Sequence, residues 1–262
     1  MTFEPLLLLL FFAHVIGDFY LQSDNMAQGK LSSDNKKSFP WLCRHSVYYT
    51  LVMAIALFVF FKFSLLVLVC FIFITISHIA IDYFKRYVPQ KYKPFIVDQT
   101  IHITILIITW YILRDSVNLY TFVVNFNQTY FDRINVFNFN PHWNINPYWT
   151  VLGMLVVMRP IGYLIKSNEL WDFGSMIEPN KPHAGRMIGY LERLIVFFLI
   201  VNNALATIGF VITAKSVIRY SEISKTNDEA KIRNQVEYFL IGTLMSMACV
   251  FVVHLLLQIT HT

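Results

Sequence analysis

Apolar residues come in long blocks along this chain, and polar or basic residues collect between them. The first block covers 5–22 (PLLLLLFFAHVIGDFYLQ). Blocks at 45–61 and 63–84 follow with Lys62 between them, and a fourth fills 95–113 before Arg114-Asp115. Two more occupy 194–214 and 238–260. These lengths match the roughly 20 residues that a helix needs to cross a bilayer. Residues 148–165 form a seventh block, interrupted by Arg159-Pro160, a charge next to a helix breaker. That interruption favours a re-entrant segment over a full crossing. The pattern predicts an all-α fold: a polytopic integral membrane helical bundle with six to seven transmembrane helices.

Composition strengthens this picture. Of the 262 residues, 56% are hydrophobic and 14% charged, against about 25% charged in soluble domains. The mean hydropathy is +0.52. Such apolar content excludes disorder, and 9 Gly, 9 Pro and 3 Cys exclude collagen-like or disulfide-built chains. Cys43, Cys70 and Cys249 lie far apart and read as small hydrophobes. No Lys or Arg precedes the first block, as the basic region of a cleaved signal peptide requires, so this block is expected to remain a membrane helix.

The net charge of +5 bears on topology, with no nucleic-acid partner expected, because the basic residues sit at block ends. Residues 23–44 (Lys30, Lys36, Lys37, Arg44) and 85–94 (Lys85, Arg86, Lys91, Lys93) are basic and are expected on the cytoplasmic side. The loop at 215–237 joins them there only if 148–165 does not cross. Three parts result: a four-helix membrane domain at 1–113, an Asn- and aromatic-rich extramembrane segment at 114–147, and C-terminal membrane helices at 148–262.

Within this sparsely charged chain, ionisable residues inside membrane segments are functional candidates. Three pairs are four residues apart: His14 and Asp18, His78 and Asp82, Asp98 and His102; His45 opens the second block. Such spacing puts both members on one helix face, close enough to grip one ion. Block ends place all seven at matching depth in one leaflet, on four consecutive helices. Three buried carboxylates would cost on the order of 9 kcal/mol on insertion scales. No matching Lys or Arg is expected at that depth. A divalent metal, one or two ions of Zn, Mn or Fe, would balance them, with a remaining Asp left as base.

The segments AHVIGDFYLQSDNMA at 13–27, SHIAIDYFK at 77–85 and DQTIH at 98–102, with His45, resemble the bacterial membrane family called domain of unknown function 3307. The stretches 184–222 and 237–243 (EYFLIGT) are similar to its longer members. The HxxxD pattern also resembles that of predicted membrane-bound metal-dependent hydrolases. That resemblance implies hydrolysis and a location in the bacterial inner membrane.

Further along, Arg186, Glu192 and Arg193 precede the 194–214 block, while Lys215 and Arg219 follow it. A straight helix from 192 to 215 would be about 34 Å long, putting the two groups at opposite faces. Lys215 and Arg219 are therefore the expected substrate-binding pair, holding an anionic headgroup. Asn202 and Asn203 are expected in mid-span, bonding between helices. No P-loop, dinucleotide fingerprint or nucleophile elbow occurs. The expected function is a membrane metal-dependent hydrolase, cleaving a phosphoester of a lipid or lipid-linked substrate near the cytoplasmic interface. A divalent-cation or proton transporter and a non-catalytic, metal-stabilised membrane protein are the alternatives.

Overall fold

The computed structural model describes residues 3–32, 34–85, 87, 92–120, 147–166, 184–223 and 229–259. Among these, the regular elements are helices: α1 (Phe3–Val15), α2 (Asp24–Lys30), α3 (Asn35–Ala54), α4 (Leu65–Lys85), α5 (Tyr92–Leu113), α6 (Pro147–Lys166), α7 (Ala184–Val201), α8 (Leu205–Ile223) and α9 (Glu229–Ile259). A turn of π-helix continues α1 at Ile16–Tyr20, and another continues α3 at Ile55–Val59. The segments Lys36–Val59, Leu65–Lys85, Phe95–Leu113, Tyr148–Ile165 and Phe239–Gln258 are long and apolar enough to span a membrane. The stretch Pro5–Tyr20 joins α2 through a bend of 86° and qualifies with it as a broken span. The chain is an all-α polytopic membrane protein.

Contacts divide it into two units, Met1–Phe139 and Asn140–Thr262. In the first, short polar side chains start the helices. Ser23 accepts from the Met26 amide, Asp34 from Lys36 and Ser64 from Val67, which satisfies amides that have no partner within the helix. α4 shows how the bundle is arranged. Its buried residues Val67, Cys70, Ile74, His78 and Asp82 recur every three or four positions, while Val69, Phe73 and Ile76 on other faces are exposed and equally apolar. A helix whose outward face is apolar is one surrounded by lipid. α5 repeats the pattern with Asp98, His102, Leu106, Thr109 and Leu113 inward and Ile101, Ile108 and Ile112 outward. Thus one end of the unit packs Leu6, Leu10, Met53, Leu57, Phe61 and Val67, and polar residues gather at the other.

The second unit corrects three expectations. Residues 148–165 lie in one continuous helix, α6, which runs through Pro160. Proline supplies no N–H and its ring loosens the ladder before it. Buried Arg193 donates from Nε to the Val157 carbonyl at 2.6 Å and from Nη2 to Met158 at 3.0 Å, next to the Val156 carbonyl that Pro160 leaves without its helical partner. The charge beside the breaker therefore does not end the helix. The block at 194–214, by contrast, is no single span, because α7 stops at Val201. Asn203 takes φ 57°, the Asn203 amide donates to Ile200 and the Ala204 amide to Leu199. This is the Schellman stop, in which a left-handed residue lets the last carbonyls find partners. The two Asn are a helix terminus rather than mid-span glue. Third, the 192–215 stretch folds back on itself, so Lys215 Nζ reaches Glu192 Oε2 at 2.5 Å; the two basic groups are not on opposite faces.

Asparagine tolerates the left-handed region, glycine does so freely, and β-branched residues do not. Asn203→Gly is expected to leave the thermal unfolding midpoint in detergent within a degree or two. Asn203→Val is expected to cost about 1–2 kcal/mol and lower that midpoint. Equal midpoints for the two variants would remove the terminus from the account.

Candidate metal centre

The polar end of the first unit is built from side chains on α1, its π-helical turn, and α2 to α5. Asp18 sits in the π-turn, where the Leu21 amide bonds to Ile16. His45 and Tyr49 come from α3, His78 and Asp82 from α4, Asp98, Gln99 and His102 from α5, and Lys30 from the end of α2. All seven residues expected from the sequence are buried. Four of them converge: Asp18, His45, His78 and Asp82 each offer a ligand atom, and these lie within 4.8 Å of one another. At the centre is His45 Nε2, which lies 3.2 Å from Asp18 Oδ1, 3.1 Å from Asp82 Oδ2 and 3.2 Å from His78 Nε2. One N–H cannot serve three neighbours. Ligands about 2.0–2.2 Å from a shared tetrahedral ion lie roughly 3.3–3.6 Å apart, so three contacts at 3.1–3.2 Å need to open only slightly to admit a cation among them. Asp82, Asp98 and His102 form a second such group.

His14 belongs to neither group. Its Nε2 donates to Gln99 Oε1 at 3.1 Å and its Nδ1 lies 3.5 Å from the Tyr49 hydroxyl. Asp18 lies in the π-turn and His14 in the last α-helical turn before it. His14 instead orients Gln99, whose amide donates to Asp18 Oδ2 at 3.0 Å and to Asp98 Oδ2 at 3.1 Å. Tyr49 adds packing, because its ring stacks on His78 with centroids 3.5 Å apart. Gly17 permits this approach; a Cβ there would meet Tyr49 Cδ2 at 2.8 Å.

Two cations missed by the sequence reading lie in the cluster. Lys30 Nζ donates to Asp82 Oδ2 at 2.6 Å, with both side chains almost fully buried, and Lys85 Nζ to Asp98 Oδ2 at 2.5 Å. The expectation that no basic residue reaches this depth is therefore wrong. Residues 23–44 are not simply a loop: the bend after the π-turn carries α2 back so that Lys30 enters the bundle, and α3 begins ten residues before His45. Three carboxylates against two ammonium groups leave one negative charge. Of the expected substrate-binding pair, Lys215 is in the other unit, paired with Glu192, and the Arg219 side chain lies outside the described residues.

Residues 6–130 match the family described as Protein of unknown function (DUF3307). The site-bearing part of the chain is a DUF3307 domain. No curated protein and no solved structure matches the chain. The DUF3307 match contains every residue of both His/Asp groups and both lysines. In this domain the chemistry lies at one end of a helical bundle. Asp82 is three residues before the end of α4, and Asp98 three after the start of the apolar part of α5.

Removing one partner of a buried ion pair leaves the other charge stranded, at a cost of about 3–5 kcal/mol. Lys30→Met in the DUF3307 domain is expected to lower the thermal midpoint in detergent strongly, and Lys30→Arg to recover part of it. A Lys30→Met protein that melts with the wild type would mean that Lys30 does not compensate Asp82.

Proposed function

We propose that this chain is a metal-dependent hydrolase of the bacterial cytoplasmic membrane, cleaving a phosphoester of a lipid or lipid-linked substrate at the cytoplasmic interface. One observation carries the reading: Asp18, His45, His78 and Asp82 converge, all buried, at ligand spacing. Mixed imidazole and carboxylate donors suit Zn, Mn or Fe. Held by Asp18, His45, His78 and Asp82, such an ion would supply Lewis-acid polarisation and a water activated near neutral pH. His78 is held for this by the Tyr49 ring, and Asp18 by Gln99, so the donors are positioned before substrate arrives. The Nδ1 atoms of His45 and His78 are buried and have no hydrogen-bond partner among the described residues.

Charge points to the substrate class. One divalent ion turns a cluster with a single negative charge into one with a single positive charge, which attracts an anion. Lys30 and Lys85 lie against Asp82 and Asp98 of the cluster, and their ammonium groups would offset the charge of a phosphate bound beside them. Asp82 and Asp98 lie about one helical turn from the ends of their apolar segments, the depth of a lipid headgroup. A transporter would need the polar route to continue through the bundle. Beyond the site the buried residues include Leu6, Leu10, Met53, Leu57 and Phe61, an apolar plug.

The test pairs metal content with turnover. Protein loaded with Mn2+ and reconstituted into vesicles carrying a lipid phosphomonoester is expected to release phosphate. Asp82→Asn and His45→Ala are expected to lose the metal and at least about 100-fold of that release. Bound metal without release in the wild type would support the non-catalytic reading instead. A folded wild type that binds no metal would overturn the proposal.

A further inference from the structure

Two buried atoms in the cluster face each other without a hydrogen-bond partner. Asp98 Oδ1 and His102 Nε2 are 3.7 Å apart, too far for a hydrogen bond, and neither finds another partner among the described residues. Both side chains are more than nine-tenths buried. A buried carboxylate oxygen and a buried imidazole nitrogen left unpaired each cost free energy, and a gap of this size between two metal-type donors is what a shared cation would fill. A carboxylate oxygen of Asp82 completes the group within 4.8 Å.

The basic residues do not block this position. Lys85 and Gln99 both bond to Asp98 Oδ2, which leaves Oδ1 turned to His102. Asp82 belongs to both His/Asp groups, and a carboxylate has lone pairs enough for two ions and Lys30 together. His14 packs beside His102, with ring centroids 5.4 Å apart, and its nitrogens are committed to Gln99 and Tyr49. It therefore serves as wall rather than ligand.

We propose that Asp82, Asp98 and His102 form a second divalent-cation site, joined through Asp82 to the site of Asp18, His45 and His78. This rests on the metal-centre reading above and extends it to a two-ion centre. Pairs of ions about 3.5–4 Å apart are the arrangement that clamps both oxygens of an in-line phosphoryl displacement. Two divalent ions make the cluster strongly positive beside Lys30 and Lys85, so the second is held together with an anion. Phosphate supplies that charge, consistent with a phosphoester substrate.

The experiment measures Mn2+ per chain, by mass spectrometry after desalting and by electron paramagnetic resonance, with inorganic phosphate present. Wild type is expected to hold two Mn2+ and to give an exchange-coupled spectrum. His102→Gln is expected to hold one, with the six-line spectrum of an isolated ion, and Asp98→Asn to behave in the same way should His102→Gln fail to fold. One Mn2+ in wild type, unchanged in His102→Gln and in Asp98→Asn, would overturn the second site and leave the first standing. No Mn2+ in any folded form would overturn both.

Discussion

Three carboxylates held inside an apolar bundle set the terms for the rest of the first unit. A charge buried there is costly unless an opposite charge or several hydrogen bonds reach it. Asp82 is reached by Lys30 and His45, Asp98 by Lys85 and Gln99, and Asp18 by His45 and Gln99. The peculiarities of the backbone follow from these demands. Asp18 meets His45 from within the π-turn, and the bend of 86° after it returns α2 so that Lys30 reaches Asp82. Gly17 allows α3 close enough for Tyr49 to stack on His78. Shared partners are the common device, with His45 serving two aspartates and Gln99 two.

The same compensation shapes the chemistry. A cluster already close to neutral holds its geometry without a metal, yet its one excess negative charge still favours a cation. Because the lysines take Oδ2 of Asp82 and of Asp98, they hold the carboxylates in place. On the proposed reading they also keep two positive charges beside an anionic substrate, and preformed donors with fixed charges would spare the site reorganisation on binding.

Much of this was legible in the sequence. Ionisable residues four apart at the ends of apolar blocks marked the site, since helix ends and span lengths fix depth without tertiary knowledge. Asp18, His45, His78 and Asp82 lie together in the structure, although His45 stands ten residues into α3 rather than at its start. Lys30 was not legible, because it enters through a sharp bend that no hydrophobic period encodes. His14 kept the right depth but is bonded to Gln99 and joins neither His/Asp group. In the second unit Asn203 was a readable stop signal hidden inside an apolar run, whereas the Arg193 guanidinium that supports the carbonyls before Pro160 needed the fold to be seen.

The central claim is that Asp18, His45, His78 and Asp82 hold a metal ion, and anomalous scattering tests it most directly. Crystals of the protein grown with Mn2+ would be measured at a wavelength where manganese scatters anomalously. The account predicts a difference peak among those four side chains, within bonding distance of His45 Nε2. Density that shows Lys30 still on Asp82, with no anomalous peak in the cluster, would contradict it.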